Sequence, residues 1–219
     1  RAFGLLVQFA GAAMFVSEYE HVLRPHPIFN DIVYGCLLVA IASLISARLL
    51  YRYAEKLREW EGIFAPGTLL WGALWWSAGG LDALLHGVAR STMPNTAALF
   101  FVATFVAVEF AGRWLSWGAL RNLAGFHPVV MAIALLSQFN LNQHPLGGLG
   151  GLAWPLGLVV AFWSLRRQER DQVAVAAAPR HFALWLVLGF AATWEELWLL
   201  DRREYMYGML LAAAGHLAA

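Results

Sequence analysis

From Asn122 to Leu165 the chain runs 44 residues without a single Asp, Glu, Lys or Arg. That is about twice the roughly 20 apolar residues a helix needs to cross a bilayer. Near the middle of the run sits a polar, turn-rich group: Asn140, Asn142, Gln143, His144 and Pro145, followed by four glycines. Two membrane-crossing helices joined by a tight connection satisfy this pattern. Open strands do not, because hydrocarbon offers nothing to pair with a strand's free edge, and the run lacks the polar/apolar alternation of a barrel strand. Composition agrees: of 219 residues, 60% are hydrophobic and 13% charged, against about 25% charged in soluble domains. Lipid must therefore be the solvent for most of the chain.

Charge-poor windows predict an all-α, polytopic bundle of about eight helices, near 2–17, 31–51, 62–82, 94–112, 127–139, 149–165, 181–199 and 205–219. The chain opens on Arg1 without the pattern of a signal peptide and closes inside an apolar run. Residues 1–219 are thus expected to be a single transmembrane segment of a larger protein, with membrane lipids and that protein's remaining helices as partners. Basic residues set the sidedness. Arg1, Arg48, Arg52, Lys56, Arg58, Arg113, Arg121, Arg166, Arg167, Arg170 and Arg180 fall on one face, 11 of the 15 basic residues, leaving Arg24, Arg90, Arg202 and Arg203 on the other. The positive-inside rule makes the richer face cytoplasmic, with both segment ends inside. Three times an apolar helix ends at arginine, a basic stretch follows, and a proline opens the next helix: Arg48 with Pro66, Arg113 with Pro128, Arg166 with Pro179. This reads as a helical hairpin used repeatedly. A net charge of +1 implies no nucleic-acid partner.

Ionisable groups at membrane depth are costly and mark candidate sites. Glu109 and Arg113 stand four residues apart on one helix face, so an intramembrane charge pair is expected. Asp82 and His86 share the same spacing at the outer end of the third helix, where carboxylate and imidazole could act as acid and base or cap the helix end. The outward connections gather Glu18, Glu20, His21, His26 and Asp31, then His144, then Glu195, Glu196, Asp201 and Glu204. Asp82, His86, His144 and Glu195 are the candidates for an outward acid/base cleft; a solvated polar rim is the alternative. Cys36 stands alone, so no disulfide or cysteine-based metal site forms within the chain, and no cofactor or metal is implied. The stretch His144 to Gly151 lacks the Lys-Ser/Thr of a phosphate loop and reads as a tight turn. Trp71, Trp75 and Trp76, with Gly72, Gly79 and Gly80, mark a packed helix interface. Pro155 and the Gly79-Gly80 step are the places where a helix could break.

Three stretches carry a resemblance: HPLGGLGGLAWPLGLVVAFWSLRR (His144 to Arg167), LLWGALWWSAGGLDALLH (Leu69 to His86) and TWEELWLLDRR (Thr193 to Arg203). Together they resemble the DUF2339 family of predicted bacterial polytopic membrane proteins, of uncharacterised function. Leu81-Asp82 stands where that family often shows His-Glu. The resemblance implies a multi-pass protein of the bacterial inner membrane and carries over no catalytic residue. Three functions fit these observations. Transport or translocation across the envelope is favoured by helix number, repeat and buried charge. A membrane-embedded enzyme acting on a lipid-linked or glycan substrate is an alternative, and a non-catalytic scaffold another. The substrate, if any, is not specified.

Overall fold

The computed structural model describes residues 9–14, 17, 26, 30–56, 59–140, 144–173, 176–201 and 215. Among them every regular element is helical, and four helices are long and apolar enough to cross a membrane: Asp31–Arg52, Met93–Trp114, Gly118–Phe139 and Ala177–Leu199. Of the eight expected helices, 205–219 lies outside the described residues but for Gly215, and 2–17 is described only in part. The chain divides into two compact units, Arg1–Ala89 and Arg90–Ala219.

In the first unit, residues 9–14 are helical and two long helices follow, α1 (Asp31–Arg52) and α2 (Phe64–Gly87). Asn30 caps α1: its side-chain oxygen accepts the Val33 N–H at 2.9 Å, satisfying one of the donors a helix start leaves open. Asp31 in the first turn and Arg52 in the last complement the helix dipole. The seam between α1 and α2 is made of small residues. Cys36, Ala40, Ser43 and Ala47 are buried along α1, facing Gly79 and Gly72 of α2. A Cβ placed on Gly79 would sit 2.8 Å from Cys36 Cβ, and one on Gly72 3.1 Å from Ser43 Cβ. Such close approach gives lipid-embedded helices their contact, since hydrophobicity does not drive them together there. Trp75 fills the seam, Trp71 meets it edge-on at 5.7 Å, and Phe9 lies 4.9 Å from Trp71. The opposite side of α1 exposes Tyr34, Leu38, Ile41, Ile45 and Leu49, a surface suited to lipid.

The second unit contains α3 (Met93–Trp114), the short α4 (Gly118–Asn122), a 3-10 turn Leu123–Phe126, α5 (His127–Asn140), α6 (Gly150–Arg170) and α7 (Ala177–Asp201). α3 packs on α5 and α6, and α7 packs on the same two. Their core holds Ala98, Met131, Ala134, Leu135, Ala153, Trp154 and Val187. Gly157 of α6 makes the notch that receives Met131: a Cβ there would lie 2.8 Å from Met131 Cε and 3.5 Å from Val102 Cγ2.

Helix ends differ from expectation for one reason: charge does not terminate these helices. α2 continues past 82 to Gly87, so Asp82 and His86 lie within it, and α6 continues past 165 through Arg166, Arg167 and Arg170. Long arginines carry their charge outward along the helix surface; Arg167, for example, lies 5.1 Å from the Trp163 ring. Neither Pro155 nor Gly79-Gly80 interrupts its helix.

Candidate functional site

The second unit holds a buried charge cluster where α3 ends, α4 turns and α6 gives way to α7. Its geometry begins with a tight reversal. Ser116 takes a left-handed φ of 49°, and the Trp117 N–H reaches back to the Gly112 carbonyl at 2.6 Å. The fold-back lays Arg121 across Gly112, where a Cβ would collide with Arg121 Cγ and lie 3.2 Å from its backbone nitrogen. Arg121 is thereby delivered to Glu109, whose residue is 0% exposed. Arg121 Nε and Nη2 donate to Glu109 Oε1 at 3.0 and 2.6 Å. Nη2 also donates to Asp171 Oδ2 at 2.8 Å. Gln168 Nε2 donates to Glu109 Oε2 at 2.9 Å and to the Arg121 carbonyl at 2.8 Å. Arg180 of α7 completes the cluster, donating from Nη1 to Gln168 Oε1 and from Nη2 to Asn122 Oδ1, both at 3.0 Å. Its guanidinium lies flat on Gly125, where a Cβ would come within 2.6 Å of the guanidinium carbon.

Both carboxylate oxygens of Glu109 are thus satisfied, and two carboxylates offset two guanidinium groups. This corrects the expected pair: the partner of Glu109 is Arg121, while Arg113 is exposed. The four-residue spacing put Arg113 on the same helix, but a guanidinium returning over a glycine reaches the buried carboxylate with better geometry. A narrow cavity with room for about one water adjoins the cluster, bounded by Gly125, Ser164, Gln168 and Arg180.

Toward the middle of the unit, His127 opens α5. It is 1% exposed and stacks on Phe105 at 4.5 Å and 25°. Neither ring nitrogen has a hydrogen-bond partner among the described residues. Beyond it lies the apolar core, and then a second polar group where α3 begins and α5 ends. Gln138, 0% exposed, donates from Nε2 to Asn95 Oδ1. Asn95 Nδ2 faces the Gly147 carbonyl at 3.5 Å, and Gln138 Oε1 is buried with no partner among the described residues. At the same end of the unit His144 Nε2 meets Glu195 Oε1 at 2.7 Å, with the His144 ring 5.4 Å from Trp198. Glu195 Oε2 is buried and likewise unpartnered there.

The four acid/base candidates fall into two pairs. His144 and Glu195 are brought together in the second unit. Asp82 and His86 meet in the first, where His86 Nδ1 lies 2.8 Å from the Asp82 carbonyl and 3.6 Å from Oδ1. Asp82 is 5% exposed and the His86 side chain 39%. Glu18, Glu20, His21, Arg202, Arg203 and Glu204 lie outside the described residues, as do the side chain of Asp201 and Asn142 and Gln143 of the turn. Among the described residues no group of three or more His, Cys, Asp or Glu could hold a metal. Hydropathy and spacing give no role to Asn95, Asn122, His127, Gln138, Gln168 and Asp171, and mark Arg121 and Arg180 only for sidedness. Polar residues inside an uncharged run are the available signal for His127 and Gln138. Comparison with protein-family models, curated proteins and solved structures finds no match to this chain.

Proposed function

We propose that this chain is a multi-pass segment of a bacterial inner-membrane protein of the DUF2339 kind that works in transport or translocation across the envelope, with both segment ends cytoplasmic. The observation supporting this reading is the polarity gradient within the second unit. One end is shut by a saturated charge cluster that ties α3, α4, α6 and α7 together. The other carries buried polar atoms on α5 and α7 that have no partner among the described residues. A bundle bolted at one end and chemically unsaturated at the other suits alternating exposure of its interior, the bolt opening when the far end closes on cargo. A second reading, an envelope enzyme acting on a lipid-linked or glycan substrate, is favoured by the His144–Glu195 contact beside Trp198, an acid/base pair with an aromatic platform.

Side-specific thiol labelling tests the transport reading. Cys36 is replaced by serine and Ala98, in the apolar core, by cysteine. In proteoliposomes of phosphatidylethanolamine and phosphatidylglycerol, a membrane-impermeant thiol reagent is expected to modify position 98 from either side. Glu109→Gln is expected to raise labelling from the side of the charge cluster. A cysteine reached from neither side, with or without the Glu109→Gln substitution, would return the unit to the role of scaffold.

A further inference from the structure

We infer, resting on the transport reading, that the species the second unit moves is the proton, and that His127 is its relay within the membrane. Leaving the polar atoms of a buried side chain without partners is unfavourable by about 1–3 kcal/mol, and in hydrocarbon the penalty is not relieved by water. Among the described residues His127 has no partner for either ring nitrogen, while its own exposure is 1%. The ring is nevertheless held in place, stacked on Phe105 of α3. A residue needed only for packing there would do better as phenylalanine.

Its position in the bundle gives the open nitrogens a use. On α3, Phe105 stands one turn before Glu109, so His127 lies about one turn inward of the charge cluster. In the other direction Gln138 is 11 residues further along α5, roughly 16 Å at 1.5 Å per residue. Its Oε1 is another buried atom without a partner among the described residues. Between the two stations lie Val102, Met131, Leu135, Ala153 and Trp154, a packed apolar layer. The layer prevents a continuous leak. A file of about six waters at ~2.8 Å spacing would bridge it when it opens, and Met131, an unbranched, flexible side chain seated in the notch of Gly157, is the part of the layer best able to change rotamer.

The step balances simply. A hydronium ion on one side gives its proton to the bare nitrogen of the neutral imidazole, forming imidazolium and leaving water. The other nitrogen then gives its proton to water on the far side, forming hydronium there, and a flip of the ring restores the start. No oxidant or second reactant is needed. The charged groups of the cluster beside it are Glu109 on α3, Arg121 on α4, Asp171 after α6 and Arg180 on α7; the buried polar residues of α6 are uncharged Gln168 and Ser164, while Arg113 on α3 and Arg166, Glu169 and Arg170 on α6 are exposed and Arg167 is half-buried. Glu109 and Arg121 are already committed to each other, which leaves His127 as the member able to change charge without breaking the bolt.

The experiment uses the 219-residue chain in phosphatidylethanolamine/phosphatidylglycerol liposomes, with a potassium diffusion potential set by valinomycin and a pH dye trapped inside. Internal pH is expected to follow the potential far faster than in protein-free vesicles. His127→Phe, which keeps the aromatic stack, is expected to slow this by about 10²-fold, the lower end of what a positioned proton-transfer group contributes. His127→Ala is expected to lose the flux and regain part of it with millimolar imidazole in the buffer, a rescue that a purely structural histidine would not show. Wild-type flux in folded His127→Phe, or His127→Ala flux unmoved by imidazole, overturns the relay. Two-sided labelling at position 98 with wild-type vesicles no faster than protein-free ones overturns the proton assignment while leaving transport standing. Histidine-dependent flux without two-sided labelling supports the relay and removes the alternating mechanism.

Discussion

Replacing Arg121 with methionine tests whether the charge cluster, rather than the helix-face pair, holds the second unit together. Glu109 has three donors: two from Arg121 and one from Gln168. The substitution removes two of them and strands a carboxylate whose residue is 0% exposed. Removing one partner of a buried ion pair costs about 3–5 kcal/mol. Asp171 adds little, since its side chain is 31% exposed and water replaces the lost contact. At about 1.4 kcal/mol per factor of ten, the folded-to-unfolded ratio is expected to fall by about 10²-fold or more. Titration of detergent-solubilised protein with SDS, followed by circular dichroism, reads the loss as a lowered midpoint. Arg113→Met is the control, and its midpoint is expected to stay within error because Arg113 is exposed. Adding Glu109→Gln to Arg121→Met is expected to recover stability, since an amide costs less to bury than an unpaired carboxylate, with a coupling of about 1–3 kcal/mol. Equal loss from Arg113→Met and Arg121→Met, or additive effects of the two cluster substitutions, would refute the assignment.

Other substitutions probe separate parts of the architecture. Gly79→Val brings side-chain carbon into Cys36, 2.8 Å away at Cβ alone, so the α1–α2 seam is expected to part and Cys36 to react faster with a lipid-permeant maleimide. Gly112→Ala is expected to destabilise the second unit more than Gly125→Ala. The first drives Cβ into the base of the Arg121 side chain and its backbone, the second only into the movable tip of Arg180; SDS midpoints of the two variants give the comparison. Asn30→Ala removes the cap on the Val33 N–H and is expected to cost about 1 kcal/mol, read as reduced protection of the first α1 amides in hydrogen exchange.

The fold is legible where composition alone decides. Between Asn122 and Leu165 the absence of charge predicts the helices α5 and α6, the first within a span apolar enough to cross a membrane, and the Asn/Gly/Pro-rich middle predicts the turn between them. Helix ends are less legible, because charge taken as a boundary would stop α2 at Asp82 and α6 at Leu165. Asp82 is accommodated inside α2, and α6 carries four charged residues before Asp171. The contact between His144 and Glu195 joins residues 51 apart, and local pattern holds no information about such a pairing. The fate of Glu109 shows the same limit in sharper form. Helical spacing offers Arg113, four residues on. Which arginine arrives depends on the left-handed turn at Ser116 and the absent side chain at Gly112, and neither announces itself in a hydropathy window.

The separation of the bolt's parts along the chain bears on how the protein is made. Arg121 follows Glu109 by only 12 residues, whereas Gln168 follows by 59. At about 5–20 residues per second, the ribosome supplies the guanidinium roughly 0.6–2.4 s after the carboxylate, and the amide roughly 3–12 s after it. The carboxylate is therefore matched first by its nearest counter-ion, across one short helical reversal. Gln168 and Arg180 come later and fasten the helices that follow, so the order of synthesis supplies charge balance before it supplies the outer ties.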